Sequence, residues 1–173
     1  MRSEIGWDFR KMDYRLGTPD DLDEVVSLVE GAKRLMSAQG INQWDDIYPC
    51  REDFESDIRK SNLYVVLQEE KIAAVYVISE ECDEEYKNGK WEYEKPCIIH
   101  RLCVSPDFQH RGIGNAVLAG IETQLLEMGY ESVRLDVFTQ NPFALRLYQK
   151  NGYLERGHAD WRKGRFLLME KRL

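Results

Sequence analysis

A mixed α/β fold is what this 173-residue sequence predicts: a central, mostly antiparallel sheet with one parallel strand pair and helices on both faces. Three observations point there. Two apolar strand-like runs, 97–104 (CIIHRLCV) and 132–138 (SVRLDVF), flank a long helical pattern, so that pair should be parallel with a right-handed crossover. The remaining strands are linked as hairpins and therefore pair antiparallel. The element order, β-α-α-β-β-β-α-β-α-β-β, lays helices on the faces of one sheet. The length suits one domain spanning 1–173, with a loose N-terminal arm over about 1–11.

Each element has a local cause. Residues 12–16 (MDYRL) alternate like a short strand. Thr18 is an N-cap candidate, Pro19 fits a first turn, and Asp20 and Asp21 suit the helix dipole. Leu22, Val25, Val26, Val29 and Met36 then mark one apolar face to about Ser37, with Gly40 as the stop. A loop, INQWDDIYP, precedes a short helix around 51–60. Residues 63–68 and 72–78 form a hairpin over the turn EEK, and the acidic stretch 79–95 reads as a longer hairpin loop. After strand 97–104, Ser105-Pro106-Asp107 turns the chain and Gly112 opens a helix. Its apolar positions are Ile113, Val117, Ile121 and Leu125, and Gly129 ends it. Asn141-Pro142 starts a further helix to about Lys150, Asn151-Gly152 closes it, and strands follow near 153–158 and 165–171.

Composition narrows the function. A net charge of −7, from 31 acidic and 24 basic residues, offers no broad basic footprint for nucleic acid. It suits a cationic small molecule better. There is no apolar run of membrane-spanning length and no apolar stretch at the N-terminus resembling a signal peptide. The four cysteines (50, 82, 97 and 103) make no CxxC pair, which fits reduced thiols in a cytoplasmic protein. Cys97, His100 and Cys103 imitate a zinc half-site. Strict alternation along a strand would point His100 away from both cysteines, so no metal is expected.

The strongest local signal is Gln109-His110-Arg111-Gly112-Ile113-Gly114-Asn115 leading from a strand and turn into a helix. A helix N-terminus offers unpaired N–H groups and partial positive charge, which suits a pyrophosphate. Glycines let the ligand approach the backbone. The same run could be a helix entry with no ligand. A dinucleotide site has a decoy in Asp136, 22 residues after Gly114. Against it, a third glycine is missing, a seven-residue loop separates strand from glycines, and 59 residues are too few for a second half. No Gly-Lys-Ser/Thr follows, so a P-loop is excluded.

The residues resemble the GNAT (Gcn5-related N-acetyltransferase) family. Its signature, Gln/Arg-x-x-Gly-x-Gly/Ala, is matched by Gln109, Gly112 and Gly114, preceded by a similar strand-to-loop segment, 102–106. A second family segment is matched by Asn141, Ala144, Leu147, Tyr148, Gly152 and Tyr153, in the right order and separated by a helix and a strand. The resemblance implies the acyl-CoA N-acyltransferase fold, acetyl-CoA as co-substrate, and direct attack by a primary amine in a ternary complex. It places the diphosphate on Gln109 through Asn115 and pantetheine on the free amides of about Leu102, Cys103 and Val104, where the strand splays from its neighbour. Asn141, Ala144 and Tyr148 complete the expected cofactor contacts. No covalent nucleophile constellation is recognisable, in agreement with direct transfer.

The resemblance also implies Tyr148 as general acid for the leaving thiolate, although a core tyrosine with a satisfied hydroxyl is the plainer reading. Many members carry a glutamate base where this chain has His100. That histidine serves equally well as a base or as a hydrogen-bonded core residue. Glu80 and Glu81 are alternative bases, but a solvated charge run describes them better. Trp44 and Tyr48, with Asp45 and Asp46, lie in the loop that covers the acceptor in this fold. They either bind a cation or pin the loop. The acceptor is a small-molecule, amino-acid or peptide amine, with no nucleic acid or membrane partner, and analogy adds a homodimer. An inactive acyl-CoA-binding regulatory domain and a nicotinamide-dependent enzyme are the alternatives.

Overall fold

The computed structural model describes residues 11–109 and 112–173; the arm expected over 1–11 falls outside them apart from Lys11. A seven-stranded sheet is built from β1 (Asp13–Leu16), β2 (Leu63–Gln68), β3 (Lys71–Ser79), β4 (Pro96–Val104), β5 (Ser132–Phe138), β6 (Leu154–Trp161) and β7 (Gly164–Arg172), in the order β1-β2-β3-β4-β5-β7-β6. Only β4 and β5 pair in parallel. Between them runs α3 (Ile113–Glu127), the crossover that the sequence predicts. The remaining helices are α1 (Leu22–Ala38), α2 (Arg51–Arg59) and α4 (Pro142–Lys150).

Apolar residues sort onto two faces. Ile113, Val117, Ile121 and Leu125 of α3 pack with Tyr148 of α4 against Tyr76, Ile99, Val133, Leu135 and Met169. On the opposite face Val25, Val29 and Phe54 of α1 and α2 cover Val65, Val75 and Val77. The 79–95 segment covers the rest of that second face, with Tyr86 and Trp91 packed on Ile98, Ala159 and Leu168. It joins β3 to antiparallel β4 as the expected long hairpin loop, with Glu80 and Glu81 exposed, and through these two aromatics it is also a structured cover. Glu170, 1% exposed, accepts from Glu92 N and pairs with Arg134 and Arg156. Arg134 also donates to Tyr93 O and lies over the Trp91 ring. Two guanidiniums and a backbone amide are what make a buried carboxylate tolerable. Gly157 is obligatory for the fit, since a Cβ there would stand 2.7 Å from the Asn88 carbonyl oxygen.

Strict alternation fails in β4. Arg101 has φ +48°, and the β3–β4 register slips between Val75↔Cys103 and Val77↔His100. This bulge inverts the faces beyond it. Cys97 packs on the α3 side and Cys103 on the α1 side, so the expectation that His100 opposes both cysteines is wrong. The two thiols stand on opposite faces, and no cluster of three metal-ligating side chains occurs among the described residues. No helix there is long and apolar enough to cross a membrane.

Candidate active site

The bulge sits where β4 leaves β5. Their pairing stops after Cys97↔Val133 and Ile98↔Arg134, while β5 stays paired to β7 along its whole length. A gap therefore opens between residues 99–104 and 135–138. Ser105 N donates to Ala73 O at 2.8 Å, and Cys103 is in register with Val75. Backbone groups alternate edges along a strand, so the amides of Leu102 and Val104 face the gap. By the same alternation Cys103 turns its amide towards β3, which leaves Leu102 and Val104 as the members of the expected trio that face the gap. Gln109 donates to the Val104 carbonyl at 3.2 Å, so this signature side chain braces the strand end.

α3 begins beside the gap. Gly112, at φ +73°, is its N-cap, and no side chain caps the helix. The amides of Ile113, Gly114 and Asn115 have no acceptor among the described residues. Only hydrogens occupy the places where side chains at 112 and 114 would project. The arrangement fits a diphosphate. His110 and Arg111 lie outside the described residues. Asn115 accepts from Asn151 at 2.8 Å, which ties α3 to α4. Asn141 caps α4 by accepting from Ala144 N and donates to Gln43 in the 41–50 loop.

A cavity of about 840 Å³ runs from this helix terminus through the gap to the α1–α2 side of the sheet. Leu102, Val104, Gly112, Gly114, Ala144 and Tyr148 line one end, and Trp44, Tyr48, His100, Arg101, Asp136 and Trp161 the other. Tyr148 is buried edge-on to Tyr153, and its hydroxyl has no hydrogen-bond partner among the described residues. Burial, and secondarily the Asp136 charge, raise its pKa well above the ordinary phenol value, so it stays protonated.

The far end differs from expectation in several respects. Asp45 is tied to Arg162 and Lys163 and accepts from the Ile47 and Tyr48 amides, so it fastens the loop to the β6–β7 turn. Tyr48 accepts from Arg101 Nη1 at 2.8 Å. Trp44 packs on the α1–α2 core, as the loop-pinning reading expects, and also lines the cavity. His100 Nε2 is 3.0 Å from the Glu81 carbonyl and 3.1 Å from Ser79 Oγ. A carbonyl can only accept, so Nε2 carries the proton. Burial and the neighbouring Arg101 push the imidazole pKa down to about 4.

Two residues were missed by reading the sequence. Arg101 binds Asp57 through Nε and Nη2, at 2.9 and 2.6 Å, and this pair holds the bulge residue in its positive-φ conformation. Side-chain exposures are 17% and 8%. Asp57→Ala would leave a buried guanidinium unpaired, at a cost of about 3–5 kcal/mol. We expect the melting temperature to fall by roughly 10 °C in calorimetry. Asp136 accepts from the Tyr86 hydroxyl at 2.6 Å and has no ion-pair partner among the described residues. Burial lifts its pKa to about 6. Its signal in the sequence was weak: Asp136 follows Ser132 and Arg134 in the polar phase of the β5 alternation and is the one carboxylate of that strand.

Comparison with known proteins follows the same lines. Over 139 residues the chain is 25% identical to an N-acetyltransferase of Bacillus subtilis described as uncharacterized, YesJ, covering 78% of this chain and 77% of that one. Over 100 residues it is 30% identical to a spermine/spermidine N(1)-acetyltransferase of the same species, covering 56% of this chain and 60% of that one. A GNAT-family acetyltransferase from Streptococcus agalactiae superposes with a TM-score of 0.85 at 25% identity, over 96% of this chain and 98% of that one. The model of the acetyltransferase (GNAT) family matches residues 31–153. A sheet opened beside an uncapped glycine-led helix, with both family segments on its rim, places this acyltransferase in the GNAT acetyltransferase family.

Proposed function

We propose that the protein transfers the acetyl group of acetyl-CoA to the primary amine of a cationic small molecule, amino acid or peptide. The observation that supports this most is the single cavity passing through the β4–β5 gap. Its α3 end has the amides for a diphosphate, and its other end combines Trp44, Tyr48 and Trp161 with acidic side chains. Aromatic faces and unbalanced carboxylates attract a cation. There Asp57 is matched by Arg101 and Glu81 by Lys60, while Asp83 and Asp136 have no ion-pair partner among the described residues. The distant likeness to a spermine/spermidine acetyltransferase agrees with a cationic acceptor.

In this reading the acetyl-CoA co-substrate supplies an activated thioester. The backbone amides of Ile113, Gly114 and Asn115 hold the diphosphate, and those of Leu102 and Val104 orient the pantetheine and polarise the carbonyl. Tyr148 gives its proton to the departing sulfur. Trp44 and the rest of the 41–50 loop shield the acceptor from water. Holding both substrates in line supplies much of the rate. The test is thiol release from acetyl-CoA across a panel of polyamines, amino acids and peptides. Release should require the amine and be fastest with cationic ones. Thermal stabilisation by CoA with no turnover on any amine would leave a regulatory acyl-CoA binder instead.

A further inference from the structure

Asp136 is a carboxylate with one hydrogen bond, from the Tyr86 hydroxyl, and no ion-pair partner among the described residues. On the same face of β5, Arg134 is engaged by Glu170, the Tyr93 carbonyl and Trp91, and Phe138 packs on Phe166. Between them Asp136 lines the cavity, on the side opposite the α3–α4 core. A largely enclosed carboxylate with no cation to balance it costs stability, and a neutral acceptor would satisfy the Tyr86 hydroxyl without that charge. Burial there makes sense if a cation arrives.

Resting on the acetyl-transfer reading, we propose that Asp136 holds the ammonium of the incoming acceptor and takes its first proton, with Tyr86 as the residue that positions the carboxylate. Tyr86 reaches from the 79–95 cover, is 4% exposed, and spends its only hydroxyl proton on Asp136. The other charged or titratable groups acting on this site are Asp83 of the cover, Arg101 of β4, Tyr48 of the 41–50 loop and Tyr148 of α4. Arg101 is occupied by Asp57, so Asp136 stays free to meet an external cation. His100 is the poorer acceptor. Its Nε2 proton is committed to Glu81, and Arg101 beside it opposes a second positive charge.

The protons balance. The ammonium loses one proton to Asp136, which releases it to solvent. The freed lone pair forms the C–N bond as the C–S bond breaks. The sulfur takes the Tyr148 proton, and Tyr148 recovers one from the new nitrogen.

The carboxylate must be ionised to act, so turnover of the unaltered protein should fall as pH drops through about 6. An imidazole base would put that limb near 4. In Asp136→Asn, kcat/KM for a cationic amine should fall about 100-fold and the limb near 6 should vanish. CoA affinity by calorimetry should stay within twofold, which also reports that the variant folds. With O-methylhydroxylamine, which is uncharged at neutral pH, the deficit should narrow at least tenfold; a merely structural defect would not discriminate between amines. Tyr86→Phe removes a hydrogen bond that lowers the carboxyl's pKa, so its limb should move up in pH. The proposal is overturned if Asp136→Asn keeps kcat/KM within threefold, if its limb persists, or if the deficit is equal for both amines. An unaltered protein that binds CoA and turns over no amine removes the acetyl-transfer reading itself, and the proposal with it.

Discussion

Gly114→Glu should weaken CoA binding by about 10²–10³-fold while leaving the fold intact. Residue 114 is the second residue of α3, and the nearest atoms to an added Cβ are Leu147 methyls at 3.7 Å, an ordinary contact. Its backbone is helical, and a glutamate in the first turn suits the helix dipole. The substitution therefore carries little folding cost. What it adds is a negative charge among the amides assigned to the diphosphate. Two unit charges 4 Å apart near a protein surface repel by about 4 kcal/mol, or roughly three decades in affinity. Gly112→Glu is the less clean variant, because φ +73° strains any side chain whether or not a ligand is present. Calorimetric titration with CoA reads the first effect and a melting curve the second. Unchanged affinity in Gly114→Glu would move the diphosphate away from α3.

The second large effect falls on turnover alone. Tyr148→Phe should lower kcat about 100-fold, or ~2.7 kcal/mol of barrier, with acetyl-CoA KM nearly unchanged. The ring keeps its packing against Tyr153 in the variant, so the substitution deletes one oxygen from a core that stays filled. That oxygen has no partner among the described residues, so its loss strands no buried donor or acceptor in the free protein. Structure and chemistry are thus separated at one atom. Steady-state kinetics at saturating amine decide the point: a rise in KM at constant kcat would make Tyr148 a binding residue.

Most of the architecture was legible because each element carries its own signal. The period-four row Ile113, Val117, Ile121, Leu125 gave α3, and all four are buried. Asn141 and Gly129 mark element ends where the sequence placed them, while Pro19 opens a single 3-10 turn, 19–21, that leads into α1. The glycine-led helix terminus and Tyr148 were likewise visible, because backbone conformation and residue spacing are local properties. The 79–95 segment was legible as the long hairpin loop between β3 and β4, but its packing was not, for the opposite reason. Its acidic composition is that of a solvated loop, yet Tyr86 and Trp91 find apolar partners on β4, β6 and β7 that no local pattern announces.

The site shows the same division. By itself the sequence determined the order of elements, the parallel crossover and the amide-rich start of α3, since these depend on neighbours within a few residues along the chain. Only the tertiary structure decided which side chains share a space. The Arg101 bulge inverts the faces of β4, and Asp57, 44 residues away, holds it there. Asp45 is drawn off to Arg162 and Lys163, and Asp136 meets Tyr86 across 50 residues. A one-residue slip in a strand reverses every later side chain, and a carboxylate's character is set by what surrounds it. Both follow from contacts between distant segments, which exist once the chain has packed.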